Sequence, residues 1–169
     1  MSGRRTTRAP WGPLLADPDQ RGGLGAALAP LLAPEVTARL PADLAFDQAR
    51  DDIDRWIDTA DGLAEIHTIT RNDTGDLAGL LLLFTEGTGE RADLMIGYFL
   101  GPDHWGLGLA SDVLESLVAD LDRGPPRRLF AGTDADNRAS QRVLEKAGFI
   151  RVTNGDSPDR TTYSRHVGR

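Results

Sequence analysis

The sequence predicts a mixed α/β fold, with one mostly antiparallel sheet and helices on its faces, and three observations predict it. Apolar residues recur at helical spacing in three stretches, 43–61, 109–121 and 137–149. Short apolar runs bounded by Gly, Pro, Asp and Asn lie between and after them, as strands do. A helix also stands between the runs at 92–100 and 127–133. Such a crossover sets those two strands parallel in one sheet.

Residues 1–43 are rich in Pro, Gly and Ala and show little periodicity, so they are expected to form an irregular or mobile N-terminal segment of the same domain. Within them "GGLGAALAPLLAP" reads as a short helix broken by Pro30 and Pro34. The main domain is expected over 44–169. "DLAFDQARDDIDRWIDTAD" follows as a helix, with Phe46, Ala49, Ile53, Trp56 and Ile57 on one face. The period then changes. "AEIHTIT", "LAGLLLLF" and "ADLMIGYFL" read as three strands joined by the turns "RNDTGD" and "TEGTGER", an antiparallel meander. "LASDVLESLVADL" carries Val113, Leu114, Leu117, Val118 and Leu121 on one helical face. "RLFAGTD" is a strand, and "NRASQRVLEKAGF" is a helix capped by Asn137 or Asp136 and closed by Gly148. "FIRVT" and "TTYSRHV" close the chain as strands.

Composition narrows the function. The 169 residues carry a net charge of −7, which disfavours a phosphate-backbone binder and mildly favours a cationic partner, so no nucleic acid is expected. With no cysteine, disulfides and thiolate chemistry are out, and His67, His104 and His166 lack ligand spacing, so no metal is expected. The apolar stretch Leu77–Phe84 is too short to span a bilayer, and no signal-type run follows the first arginines. No membrane association is expected, and the expected compartment is the cytoplasm.

The informative stretch is "HWGLGLASDVL", residues 104–114. Glycine weakens helices, yet Gly106 and Gly108 stand at the threshold of one. A helix start offers unpaired N–H groups and about half a positive charge, a seat for phosphate oxygens when no side chain is in the way. Gly106, Gly108 and Ala110 clear one side of the turn, Leu107 and Leu109 are expected to anchor it in the core, and Ser111 can cap the helix or donate a hydroxyl. The spacing fits neither G-x-G-x-x-G nor a P-loop, which needs G-K-[ST]. On spacing alone, a turn that binds nothing stays open beside a phosphate cradle.

The larger pattern resembles the GNAT acetyltransferases, in particular the branch that acetylates alanine or serine N-termini of ribosomal proteins. "IGYFLGPDHWGLGLASDVL" is followed by "GTDADNRASQRVLEKAGF", in the family's order and spacing. The family's turn (Q/R)-x-x-G-x-(G/A) falls on Trp105 to Ala110, with Trp105 in the first position. N-x-x-S-x-x-V-L-E-K-x-G-F matches from Asn137 to Phe149. The resemblance covers roughly 44–167.

It implies acetyl-CoA as co-substrate and a primary amine as acceptor, with a protein N-terminus first and a small cationic amine or antibiotic as the alternative. A non-catalytic acyl-CoA sensor, and another acyl group such as succinyl, stay open as well, and a homodimer is compatible with it. Trp105, Gly106, Leu107, Gly108, Leu109, Ala110 and Ser111 would hold the diphosphate. The family's fold splays the parallel strands at 92–100 and 127–133 apart, so Tyr98, Phe99 and Leu100 would offer main-chain groups to the pantetheine, with an amide near Ile96 or Gly97 for the oxyanion. Ser140 would protonate the leaving thiolate, because Leu144 sits near the place where many members carry a tyrosine. Asn137 is a cap, a ligand contact, or both. For the base that deprotonates the amine, Asp93 is the first candidate, Glu65 the second and His67 the third. Asp134 and Asp136 either attract the acceptor or shape the turn, "DRGPPRR" reads as a loop from which Arg127 or Arg128 could reach the 3′-phosphate, and Trp11 and Trp56 pack in a core or line the acceptor cleft.

Overall fold

The computed structural model describes residues 4–89 and 92–169, with the backbone alone for 153–157. Glu90 and Arg91, which end the expected turn at 85–91, lie outside the described residues. The elements run β1 (Thr6–Pro10), α1 (Gly12–Leu15), α2 (Pro18–Leu28), α3 (Pro34–Thr37), α4 (Ile53–Leu63), β2 (Glu65–Arg71), β3 (Leu77–Glu86), β4 (Asp93–Leu100), α5 (Leu109–Leu121), β5 (Arg127–Asp134), α6 (Arg138–Lys146), β6 (Ile150–Ser157) and β7 (Arg160–Val167). The strand order is β1-β2-β3-β4-β5-β7-β6. β1–β2, β5–β7 and β6–β7 are antiparallel, and β4–β5 is parallel, as the crossover requires. Among the described residues no helix is long and apolar enough to cross a membrane.

Two compact units are distinguished, Met1–Leu82 with Tyr98–Leu109 and Leu83–Gly97 with Ala110–Arg169. In the first, α4 lies against β2 and α2, and Leu28, Leu32, Leu44, Ile57, Ile66, Ile69, Leu80 and Leu81 are fully buried. The Trp56 indole N–H donates to the Leu44 carbonyl at 3.1 Å, and its ring meets Phe99 edge to face at 6.5 Å. Trp11 is buried and donates to Asp61 at 2.8 Å. Both tryptophans are core residues with their polar N–H satisfied.

The region before residue 44, expected to be irregular or mobile, carries β1 and three helices. Asp17 accepts from the amides of Asp19 and Gln20, and Pro18 occupies the first helical position, so α2 starts on a strong signal. Gly22, Gly23, Gly25, Ala26 and Ala27 leave only Leu24 and Leu28 as large apolar side chains, which hides its stripe from a periodicity count. β1 is an edge strand running from Thr6↔Arg71 to Pro10↔His67, and a proline is tolerated at its end.

The helix expected over 43–61 is shorter, beginning at Ile53. Aspartates divert the backbone before that point. The Asp47 carboxylate accepts from the Ala49 amide, Asp51 accepts from the Asp47 amide, and Asp52 caps α4 through the amides of Asp54 and Arg55.

In the second unit, β5 pairs with β4 over Leu94–Ile96 and with β7 along its whole length. Val113, Leu114, Leu117 and Val118 of α5 are buried, as the pattern predicted, and α6 lies against β5 with Gln141 and Leu144 buried.

Glycine 79 is required by a close approach in the first unit. A Cβ there would stand 2.0 Å from the Phe99 carbonyl oxygen. Gly79→Ala is expected to lower the unfolding free energy by about 2–3 kcal/mol, as overpacking does, read from urea denaturation. A change below about 0.5 kcal/mol would contradict the tight β3–β4 approach.

Candidate functional site

β4 ends in a 3₁₀ turn at Pro102–His104, and the chain then runs through the glycine turn into α5. Gly106 and Gly108 have φ of +72° and +75°, the left-handed region that side chains resist, and among the described residues no non-glycine adopts positive φ. Residues 105–108 are exposed, and Leu109 is buried. A Cβ on Gly106 would meet no atom within 4 Å. The turn is therefore open at Gly106 and rooted by Leu109, while a Cβ on Gly108 would stand 3.2 Å from Arg5 Nη1.

Leu107, expected inside, is 38% exposed. Flanked by two left-handed glycines, it is turned away from the core that Leu109 enters. The Trp105 ring is half exposed, and its indole N–H donates to the Leu100 carbonyl at 2.8 Å. That bond bridges the two ends of the 3₁₀ turn. It also occupies one lone pair of a carbonyl expected to face pantetheine.

The strand stretch Tyr98–Leu100 lies beyond the parallel ladder, whose register ends at Ile96↔Ala131 although β4 runs on to Leu100. Phe99 and Leu100 are buried and Tyr98 half-buried, in keeping with packing roles for their side chains.

Asn137 caps α6, its side-chain oxygen accepting from the Ser140 amide at 3.2 Å. Ser140 is half-buried in the first turn of that helix. Leu144, one turn further, is buried, and the only tyrosine hydrogen-bonded to this helix comes from β7: among the described residues, Tyr163 donates to Glu145 at 3.0 Å. Burial first, then the Glu145 carboxylate, push the Tyr163 phenol up.

Of the base candidates, Asp93 fares worst. The register Leu94↔Leu129 sets Asp93 level with Arg128 on the neighbouring strand, and the guanidinium donates to its carboxylate at 2.8 Å. Arg128 holds the Asp93 carboxyl below the usual carboxylate range, whereas a base for an ammonium needs the opposite shift. The Arg128 guanidinium also lies over the Phe130 ring, 5.1 Å from its centroid.

His67 is buried, with Nδ1 3.3 Å from Arg8 Nη1 and Nε2 2.7 Å from Glu65 Oε1. A guanidinium only donates, so Nδ1 accepts and the Nε2–H donates to Glu65. The imidazole lone pair is taken. Glu65 is 66% exposed and keeps carboxylate surface open to water.

Arg5 was missed by sequence reasoning. Its Nη1 donates to the Leu107 carbonyl at 2.5 Å, across 102 residues of sequence. Local patterns carry no signal for such a contact.

A family model described as the acetyltransferase (GNAT) domain matches residues 24–150. An N-acetyltransferase of Bacillus subtilis (strain 168), YoaA, is 32% identical over 105 residues, 57% of this chain, and the match spans 59% of that protein's length. Among solved structures, a ribosomal L7/L12 α-N-protein acetyltransferase in complex with coenzyme A superposes with a TM-score of 0.71 at 19% identity, covering 98% of this chain and 96% of that one. A spermidine N-acetyltransferase from Vibrio cholerae, in complex with CoA and spermine, gives 0.65 at 12% identity, covering 97% and 96%. At these identities the two likenesses are of fold.

Because Arg128 depresses the Asp93 pKa, their pairing stabilises the fold above the ordinary carboxylate pKa and is lost as pH falls through the lowered one. Arg128→Gln is expected to raise the Asp93 titration midpoint in carboxyl-carbon NMR. An unchanged midpoint would show that the pair does not form in solution.

Proposed function

The chain belongs to the GNAT acetyltransferase family, and on that premise we propose that it acetylates a protein N-terminus, with acetyl-CoA as donor. The observation that carries the donor half is the exposed left-handed turn at 105–108 leading into α5. Main-chain amides of Trp105 to Ala110 and the start of α5 would bind the diphosphate, in the manner of helix N-termini generally. The β4 stretch Gly97–Leu100, beyond its ladder with β5, would offer main-chain groups to the peptide-like pantetheine.

Transfer forms an N–C bond between amine and acetyl carbon and breaks the C–S bond. Ser140 gives its hydroxyl proton, or a hydrogen bond, to the departing sulfur, and the proton released by the nitrogen of the tetrahedral intermediate restores the hydroxyl. Preorganised amides at Ile96 or Gly97 stabilise the oxyanion. The amine first loses a proton, and Glu65, through water, is the base: its carboxylate accepts from His67 yet keeps solvent contact, whereas Asp93 is paired with Arg128 and the His67 lone pair faces Arg8.

For the acceptor, the net charge of −7 favours a cation, and the block from Asn137 to Phe149 resembles that of N-terminal alanine and serine acetyltransferases. One structural neighbour bears the name of a protein N-terminal acetyltransferase and another that of a spermidine acetyltransferase, so both acceptor classes belong in the test.

CoA thiol release should be followed with peptides bearing N-terminal alanine or serine, with spermidine and with an aminoglycoside. Release with the peptides, abolished by prior N-acetylation, is expected. Release with spermidine alone would replace the acceptor, and CoA binding without release would make the chain a sensor. Ser140→Ala is expected to lower kcat about a hundredfold while CoA affinity stays within about twofold. Unchanged kcat would remove Ser140 from the chemistry.

A further inference from the structure

We propose that Arg5, ahead of the first strand, is a positioning residue of the donor site that holds the glycine turn in its binding shape and adds positive charge beside it. This rests on the donor reading above. Arg5 lies outside the family match at 24–150 and outside the blocks that suggested the fold.

The geometry is specific. Arg5 Nη1 donates to the Leu107 carbonyl, the peptide group between the two left-handed glycines. The same nitrogen would lie 3.2 Å from a Cβ on Gly108, so the guanidinium sits directly against the turn. A turn that offers its amides to an anion must point some carbonyls elsewhere, and a carbonyl left facing an anion repels it. Arg5 captures one such carbonyl and neutralises its negative end.

Arg5 is itself held in place. Its carbonyl accepts from the Asn72 amide at 2.9 Å, and the Asn72 side chain donates to the Arg4 carbonyl at 2.8 Å. Thr7 donates to the Asn72 side-chain oxygen at 2.7 Å. The "RNDTGD" turn between β2 and β3 thus anchors the start of β1, which aims Arg5 at the glycine turn. The chain of support runs Asn72, Arg5 main chain, Arg5 guanidinium, Leu107 carbonyl, all within the first unit.

The side chain is exposed, so its charge acts through solvent and its effect should weaken with salt. Arg5→Met keeps an apolar stem and removes both charge and donor, while Arg5→Lys keeps the charge. CoA affinity of Arg5→Met is expected to fall about tenfold at low salt, with a smaller loss at high salt. KM for acetyl-CoA should rise with kcat nearly constant, whereas KM for S-acetylpantetheine, which lacks the diphosphate, should not move. Arg5→Lys should recover part of the loss. Thermal unfolding midpoints close to wild type would separate these effects from misfolding, and Arg5→Lys reads the same question should Arg5→Met fail to fold.

Equal CoA affinity in wild type and Arg5→Met would overturn the proposal while leaving the donor reading intact. An equal loss toward S-acetylpantetheine would also overturn it, because the defect would then be general. Absence of CoA binding by the wild type would instead overturn the donor reading on which the proposal stands.

Discussion

Two backbone torsions shape the turn proposed to bind the donor. With Gly106 and Gly108 both at positive φ, the chain leaves the 3₁₀ turn after β4, exposes four residues and buries Leu109 as it enters α5. An ordinary side chain other than Asn or Asp at either position costs roughly 1–2 kcal/mol for the left-handed conformation alone. That expense is understandable if the gain is a row of unobstructed amides. Trp105 bonded to Leu100 and Arg5 bonded to Leu107 brace the turn from two directions.

The charged side chains proposed for the chemistry differ in how far their neighbours engage them and how much water contact they keep. Asp93 and Arg128 meet because a parallel register sets them level, and the pairing spends both of them. His67 is held between Arg8 and Glu65, which settles its tautomer and removes its lone pair. Glu65 retains water contact. A carboxylate candidate chosen from the resemblance alone therefore ranks differently once its neighbours are known.

Much of this was legible in the sequence where period and punctuation agree. The strands at 65–71, 77–86 and 93–100, the apolar face of α5 and the Asn137 cap of α6 follow from local spacing. The parallel pairing of β4 and β5 follows from chain connectivity. Local rules failed where tertiary contact decides. α2 has two large apolar residues and is stabilised by a cap and by packing, β1 is a five-residue edge strand, and the aspartates at 47, 51 and 52 shorten α4. The same limit hid Arg5, since nothing near residue 5 announces a carbonyl 102 residues away. The turn's shape was readable, its bracing was not.

Coenzyme A titrated into ¹⁵N-labelled protein tests anion capture by this turn most directly. Saturating amide shifts at Gly106, Leu107, Gly108, Leu109 and Ala110, absent when S-acetylpantetheine is the titrant, are the predicted result. Those five amides unmoved at saturating coenzyme A, with shifts appearing elsewhere or nowhere, would contradict it.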